Sequence, residues 1–223
     1  MLANNNEAII NKLAKNSVKT NKKQYAILFF TIILSAFMLF CVFTIGMTYL
    51  NSSRLQNTRL NGAEYDIVTM NGFTSEQLNT LQQNENIRSV GIESYAGFIQ
   101  STEYDKTVEI GLLWCDEVFW DNLMSPARTK LDGHYPQNKN ELMVTKDILK
   151  TCGNENLSVG DSLILTYENN TGVYTDEFVI SGIWDGYGDT SAGFVSKAFY
   201  DETGYDLKNN GILCIKLNCN YVF

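Results

Sequence analysis

Tyr25-Ala-Ile-Leu-Phe-Phe-Thr-Ile-Ile-Leu-Ser-Ala-Phe-Met-Leu-Phe-Cys-Val-Phe-Thr-Ile-Gly-Met-Thr-Tyr-Leu50 is a run of 26 residues without a charge. As a helix rising about 1.5 Å per residue it reaches roughly 39 Å. The hydrocarbon core of a bilayer is about 30 Å thick, so the run crosses it with tilt or overhang. Tyr25 and Tyr49 sit at its ends, where a ring with a polar tip suits the lipid–water boundary. A cleavable leader has a shorter apolar region followed by small residues. Met47-Thr48-Tyr49-Leu50 offers no such cleavage sequence, and Phe40 before Cys41 is a poor match to a lipoprotein site. Core helices of soluble proteins rarely run this long without one charge. The stretch reads as a retained membrane helix.

The flanks differ in sign. Residues 1–24 carry Lys12, Lys15, Lys19, Lys22 and Lys23 against Glu7 and sum to +4, whereas residues 51–223 sum to −12, leaving the chain at −8. The excess of lysine before the span predicts a cytoplasmic N-terminus, with residues 51–223 outside the cell membrane. Ile10, Leu13, Ala14 and Val18 recur at helical spacing, with the lysines mostly opposite. Two readings of this lead stay open, an amphipathic helix lying on the inner leaflet or simply a topogenic basic stretch. The acidic balance argues against nucleic-acid binding, which needs clustered cations. Two prolines and 19% charged residues exclude collagen-like and low-complexity chains.

Beyond a polar stalk over 51–62, strand and helix signals alternate. Residues 63–70 read as a strand. Phe73-Thr74-Ser75-Glu76-Gln77-Leu78 is a helix start, with Thr74 and Gln77 spaced as a capping box and Phe73 and Leu78 as a hydrophobic staple. Residues 88–100 and 107–114 read as strands, with Gly91 and Gly97 marking a bend. Ser196 caps a helix to Thr203, Gly204 stops it, and 211–217 is a strand. The order β-α-β-β, then α-β, predicts a split βαβ unit of ferredoxin-like type, residues 63–114 and 191–217. Residues 115–190 are predicted as an inserted, mostly-β subdomain, with strands over 141–145, 161–168 and 173–184 and a hairpin turn at Asn169-Asn170-Thr171-Gly172. The expected fold class is α+β, with a single N-terminal transmembrane helix (25–50) before an extracytoplasmic domain.

Asp132-Gly133-His134-Tyr135-Pro136-Gln137-Asn138-Lys139-Asn140-Glu141-Leu142-Met143-Val144 resembles the G-x-x-P-x-x-x-x-E-(apolar)₃ segment of MacB/FtsX-like ABC transporter permeases. Leu157-Ser158-Val159-Gly160-Asp161-Ser162-Leu163 and Phe178-Val179-Ile180-Ser181-Gly182-Ile183 are similar to the next two segments of that outer domain. Asn21-Lys22-Lys23-Gln24 before the span resembles the family's basic lead. The resemblance implies a permease subunit that works as a dimer with a second permease subunit and a cytoplasmic ABC ATPase. It implies a lead helix against membrane lipid, and an outer domain moved by ATP-driven closing of the inner side. Members expel or extract peptides, antibiotics or lipids, or control cell-wall hydrolases. They carry three further membrane helices, so the resemblance implies that residues 1–223 are the N-terminal portion of such a subunit.

From the residues themselves, Pro136 fixes a turn into a strand, Gly160-Asp161 is a tight turn, and Gly182 permits close backbone approach or a bulge. Glu141 has no partner evident in the sequence. No catalytic, cofactor-binding or metal-ligating residue is assigned. His134 is the one histidine and reads as a loop residue. Cys115, Cys152, Cys214 and Cys219 follow the span without C-x-x-C spacing, and free thiols and one or two disulfides both stay open. Gly186-Tyr187-Gly188-Asp189 followed by Gly193 lacks the spacing and lysine of a phosphate loop. Asp185 and Asp189 read as solvated, or as holders of a weak cation. Three functions compete: a permease subunit, a single-pass receptor or sensor that binds a ligand outside, and a membrane-tethered enzyme. The missing constellations disfavour the last. The charge of −12 suits cationic peptides, or serves solubility alone.

Overall fold

The structure is a computed structural model that describes residues 6–100, 110–187 and 192–218. The chain divides into two compact units, Met1–Arg54 and Leu55–Phe223.

The first unit is helical. Helix α1 (Asn6–Thr20) is followed after one residue by α2 (Lys22–Asn61), which holds the charge-free run and continues through the expected stalk. It is long and apolar enough to cross a membrane, and none of its residues is buried in protein. In lipid every backbone carbonyl and hydroxyl needs an internal partner. Thr31 and Thr44 meet that need by donating to the carbonyls of Ile27 and Phe40, both at 2.8 Å. On α1, Ile9, Ile10 and Leu13 are exposed.

In the second unit, β1 (Ile67–Thr69) leads to α3 (Ser75–Gln82), β2 (Ile87–Ile99) and β3 (Ile110–Cys115). A π-helical turn (Val118–Leu123) and a short 3-10 turn (Ser125–Ala127) precede β4 (Arg128–Gly133). Then come β5 (Glu141–Thr145), α4 (Lys146–Thr151), β6 (Ser162–Asn169), β7 (Gly172–Gly186), β8 (Ala192–Val195), α5 (Lys197–Tyr200), α6 (Leu207–Asn210) and β9 (Gly211–Leu217). The fold class is α+β.

The strands run β1-β9-β2-β3-β8-β5-β7-β4, with β6 pairing both β2 and β7. That double pairing closes β2-β3-β8-β5-β7-β6 into a ring of six strands. Residues 115–190 therefore hydrogen-bond on both sides to strands outside them, through β8 and through β2. The main core includes Leu112, Leu142, Leu163, Phe178, Ile180 and Val195, all at most 1% exposed. Each such side chain gains about 1.5–3 kcal/mol on leaving water. A second cluster, with Cys115, Phe119, Trp120, Leu123, Met143, Trp184, Phe194 and Cys214, joins the π-helical turn to the sheet.

Local chemistry explains the elements. The Thr74/Gln77 capping box is present in both directions, and Phe73 is buried with Leu78 packed on the same core. Ser196 and Thr145 accept the amides of Phe199 and Ile148 and start α5 and α4. Asn169 faces Gly172 across the expected hairpin, and its side chain accepts the Thr171 amide at 2.9 Å. Gly204 stops the segment after α5 with φ +76°.

The strand expected over 63–70 is regular only at Ile67–Thr69. Before it, Glu64 donates its amide to the Leu123 carbonyl at 2.7 Å, which ties the chain to the π-helical turn instead of to a ladder. The predicted strand at 107–114 lies outside the described residues over 107–109, and its remainder is β3. Gly188 and Asp189, with the loop reading attached to them, lie outside the described residues, as does Cys219.

Candidate functional site

A cleft of about 680 Å³ lies between the end of β3, the π-helical turn and the β4–β5 connection. β3 contributes Trp114 and Cys115, and Asp116 and Glu117 follow it. The turn contributes Trp120 and Asp121, the connection His134–Gln137, and α5 its first residue, Lys197. Aromatic and aliphatic surface forms the walls. Three carboxylates, Asp116, Glu117 and Asp121, stand against the one ammonium of Lys197.

Each wall is held in place. Asp116 Oδ1 accepts the amides of Ile92 (3.0 Å) and Phe119 (2.8 Å), which pins the π-helical turn to β2. Burial raises the Asp116 carboxyl above the usual range, although these two bonds oppose the shift. Tyr135 accepts the Cys115 amide at 3.0 Å, and its hydroxyl proton points to the carbonyls of Cys115 (3.2 Å) or Val195 (3.3 Å). Burial pushes that phenol well up. Its ring lies 5.1 Å from Trp120, which packs edge-on to Phe194 at 5.3 Å. The Arg128 guanidinium stacks 4.0 Å over Trp120, and Lys197 Nζ sits 5.2 Å from the rings of both Trp114 and Tyr200. Lys197 also pairs with Asp201.

The motif residues of the β4–β5 connection build one corner of this cleft. Gly133 has φ +88°, and a Cβ there would lie 2.2 Å from the Ser181 carbonyl oxygen. Its register partner on β7 is Gly182, where a Cβ would lie 2.8 Å from the His134 carbonyl oxygen. The close approach expected at Gly182 is therefore present, and the β5–β7 register shifts beside it. Glu141 gains the partners that sequence could not show. Its carboxylate accepts the amides of Gln137 (2.7 Å) and Asn138 (3.1 Å) and the Asn138 side-chain amide (2.7 Å). Burial raises the Glu141 carboxyl, but these bonds outweigh it and leave the group below the usual range. Asp161 accepts the Ser158 amide at 2.8 Å and closes the turn before β6.

His134 is exposed, and its Nδ1 lies 2.9 Å from the Tyr135 carbonyl oxygen. Cys115, Cys152 and Cys214 are free thiols. Cys115 and Cys214 lie on strands separated by β2, which puts their Cα atoms two strand spacings apart, about 9–10 Å or more. That exceeds the roughly 7 Å reach of a disulfide. Burial raises all three thiols, Cys115 well up and Cys214 up to about 12. A buried thiol at neutral pH is a poor nucleophile. Among the described residues no three His, Cys, Asp or Glu side chains are grouped to hold a metal ion.

No family model and no curated protein matches the sequence. Solved structures are similar to it. One is the extracellular domain of the noncanonic ABC-type transporter YknZ from Gram-positive bacteria, at 14% identity and TM-score 0.44, covering 67% of this chain and 75% of that one. Another is the periplasmic region of MacB from Actinobacillus actinomycetemcomitans, at 14% identity and TM-score 0.44, covering 70% of this chain and 75% of that one.

Proposed function

We propose that the chain is the N-terminal portion of a membrane permease subunit of an ATP-driven ABC transporter of the MacB/FtsX type. Its outer domain passes ATPase-driven motion to the export or extraction of a peptide, antibiotic or lipid. The carrying observation is the order of parts. A basic lead precedes one charge-free helix, and an α+β unit follows in which the family-like segments form one corner. Gly133 packs against Gly182 at that corner, and Glu141 closes the 137–138 turn of the same connection.

In this reading residues 1–24 lie against the cytoplasmic leaflet, where lysines meet anionic lipid. Residues 25–50 span the cell membrane, 51–62 form the stalk, and 63–223 fold outside, with 115–190 inserted in the split βαβ domain. The partners are a cytoplasmic ABC ATPase and a second permease subunit. ATP hydrolysis belongs to the ATPase.

Co-purification tests it. The tagged chain, expressed with its full gene neighbourhood and extracted in mild detergent, brings down an ABC ATPase. Recovery without any ATPase, together with unrelated genes following codon 223, refutes the reading. A second reading, a single-pass ligand-binding sensor, is favoured by the aromatic-walled cleft and would survive that result.

A further inference from the structure

The face of the sheet beneath the π-helical turn holds one acidic side chain that nothing neutralises. Glu93 lies on β2, opposite Cys115 on β3 and Ile212 on β9. Alternation puts it on the same face as Gly91. At Gly91 the turn rests directly on the strand, since a Cβ there would lie 2.9 Å from Phe119 Cα and 2.8 Å from a Leu123 methyl. Glu93 has no hydrogen-bond or ion-pair partner among the described residues.

We propose that Glu93 is a proton-operated latch: neutral, it lets the turn Val118–Leu123 seat on β2, and ionised, it loosens that turn and opens the adjoining cleft.

The surroundings explain why. From β3 it faces the Cys115 thiol, and from β9 the Cys214 thiol, and the Asp116 carboxyl after β3 acts on both thiols. Tyr65, ahead of β1, and Tyr135 present phenols. The Glu93 charge raises the Cys115, Cys214, Tyr65 and Tyr135 groups, so all four lie within its electrostatic reach. None of them is a cation. The anionic groups of the turn and its approach, Glu117 and Asp121, add no relief.

No cation pairs with Glu93 among the described residues. Lys216 on β9 pairs with Glu64 (3.1 Å) and Asp66 (3.4 Å), and Arg128 stacks on Trp120. A carboxylate in such a place either takes a proton or draws in water. Desolvation raises the Glu93 carboxyl to about 7. The residue as a whole is half-buried. The turn that would move also carries Trp120 and Asp121 into the cleft, so its release reshapes the cleft wall.

This inference goes beyond the transport reading and holds for a permease or a sensor alike. The test uses the full chain in detergent micelles, with amide hydrogen exchange of residues 118–124 followed against pH and corrected for intrinsic rates. Protection in the wild type falls on the order of tenfold or more as pH rises through about 7. In Glu93→Gln protection stays high and flat, and Asp116→Asn keeps the step. A step of equal size in Glu93→Gln, or no step in the wild type, overturns the proposal. The carboxylic-acid infrared band of glutamate-labelled wild type does not depend on the variant folding. One glutamate titrating near 7 supports the latch, and all of them titrating near 4.5 refute it.

Discussion

Arg59, in the last turn of α2, lays its guanidinium 3.8 Å from the centroid of the Tyr187 ring, and its Nε is buried without a hydrogen-bond partner among the described residues. The end of the long helix is thereby fastened to the segment that follows β7. β7 in turn pairs with β4, β5 and β6.

Replacing Tyr187 with alanine removes the ring on which the guanidinium stacks. The expected loss is about 1–2 kcal/mol of stability for the outer unit, with Tyr187→Phe near wild type because the ring face is kept. Denaturant unfolding of the two variants measures the difference. Equal midpoints would show that the contact is idle.

Gly133→Ala forces a side chain into a left-handed backbone position and against the Ser181 carbonyl. A cost of about 1–3 kcal/mol is expected, read as a lower unfolding midpoint. A similar loss is expected for Gly182→Ala, since the two glycines face each other, and the double variant should cost less than the sum.

Glu141→Gln tests the clamp on the 137–138 turn. The folded-state carboxyl is held below its ordinary value, so its contribution is fully present above about pH 4.5 and is lost as pH falls through the lower folded value. The gap between wild type and variant should be about 1 kcal/mol at neutral pH and should shrink in acid. A gap independent of pH would show that the charge is irrelevant to the turn.

With Cys41 and Cys219 changed to serine, the native chain should react with a thiol reagent at Cys152 slowly and at Cys115 and Cys214 hardly at all. In denaturant all three should react. Fewer than three thiols under denaturing conditions would mean that a disulfide forms.

A charge at the middle of the span addresses the membrane assignment. Phe37→Arg adds an insertion penalty of about 2.5–3.5 kcal/mol. The variant should lose membrane-fraction yield relative to Phe37→Leu. Equal recovery of both from washed membranes would count against a spanning helix.

Where the pattern was local, it was legible in the sequence. The charge-free run, the Thr74/Gln77 box, the Asn169–Gly172 hairpin and the cap at Ser196 each rest on a few adjacent residues, and each is present. The π-helical turn was not foreseen, because Val118–Leu123 follows neither a 3.6-residue nor a two-residue period. β4 was missed because it is a polar strand paired on one side only. β8 is four residues long, and its parallel partner β3 is remote in sequence. Glu93 illustrates the deeper limit. In the alternation Ile92-Glu93-Ser94 it reads as a solvent-facing strand residue, and only the folded chain shows Phe119 and Leu123 packed over Gly91 on the same face. Glu141 likewise showed no role until the turn it closes was seen folded around it.

The ring of six strands also has a mechanical meaning. A flat sheet can be peeled one strand at a time from its border, but a hoop has no border at which peeling begins. A pull on the hoop must break several ladders together, so stretching by its ends should give one large rip and few small ones. A body of that kind resists deformation and hands an applied force onward nearly undiminished.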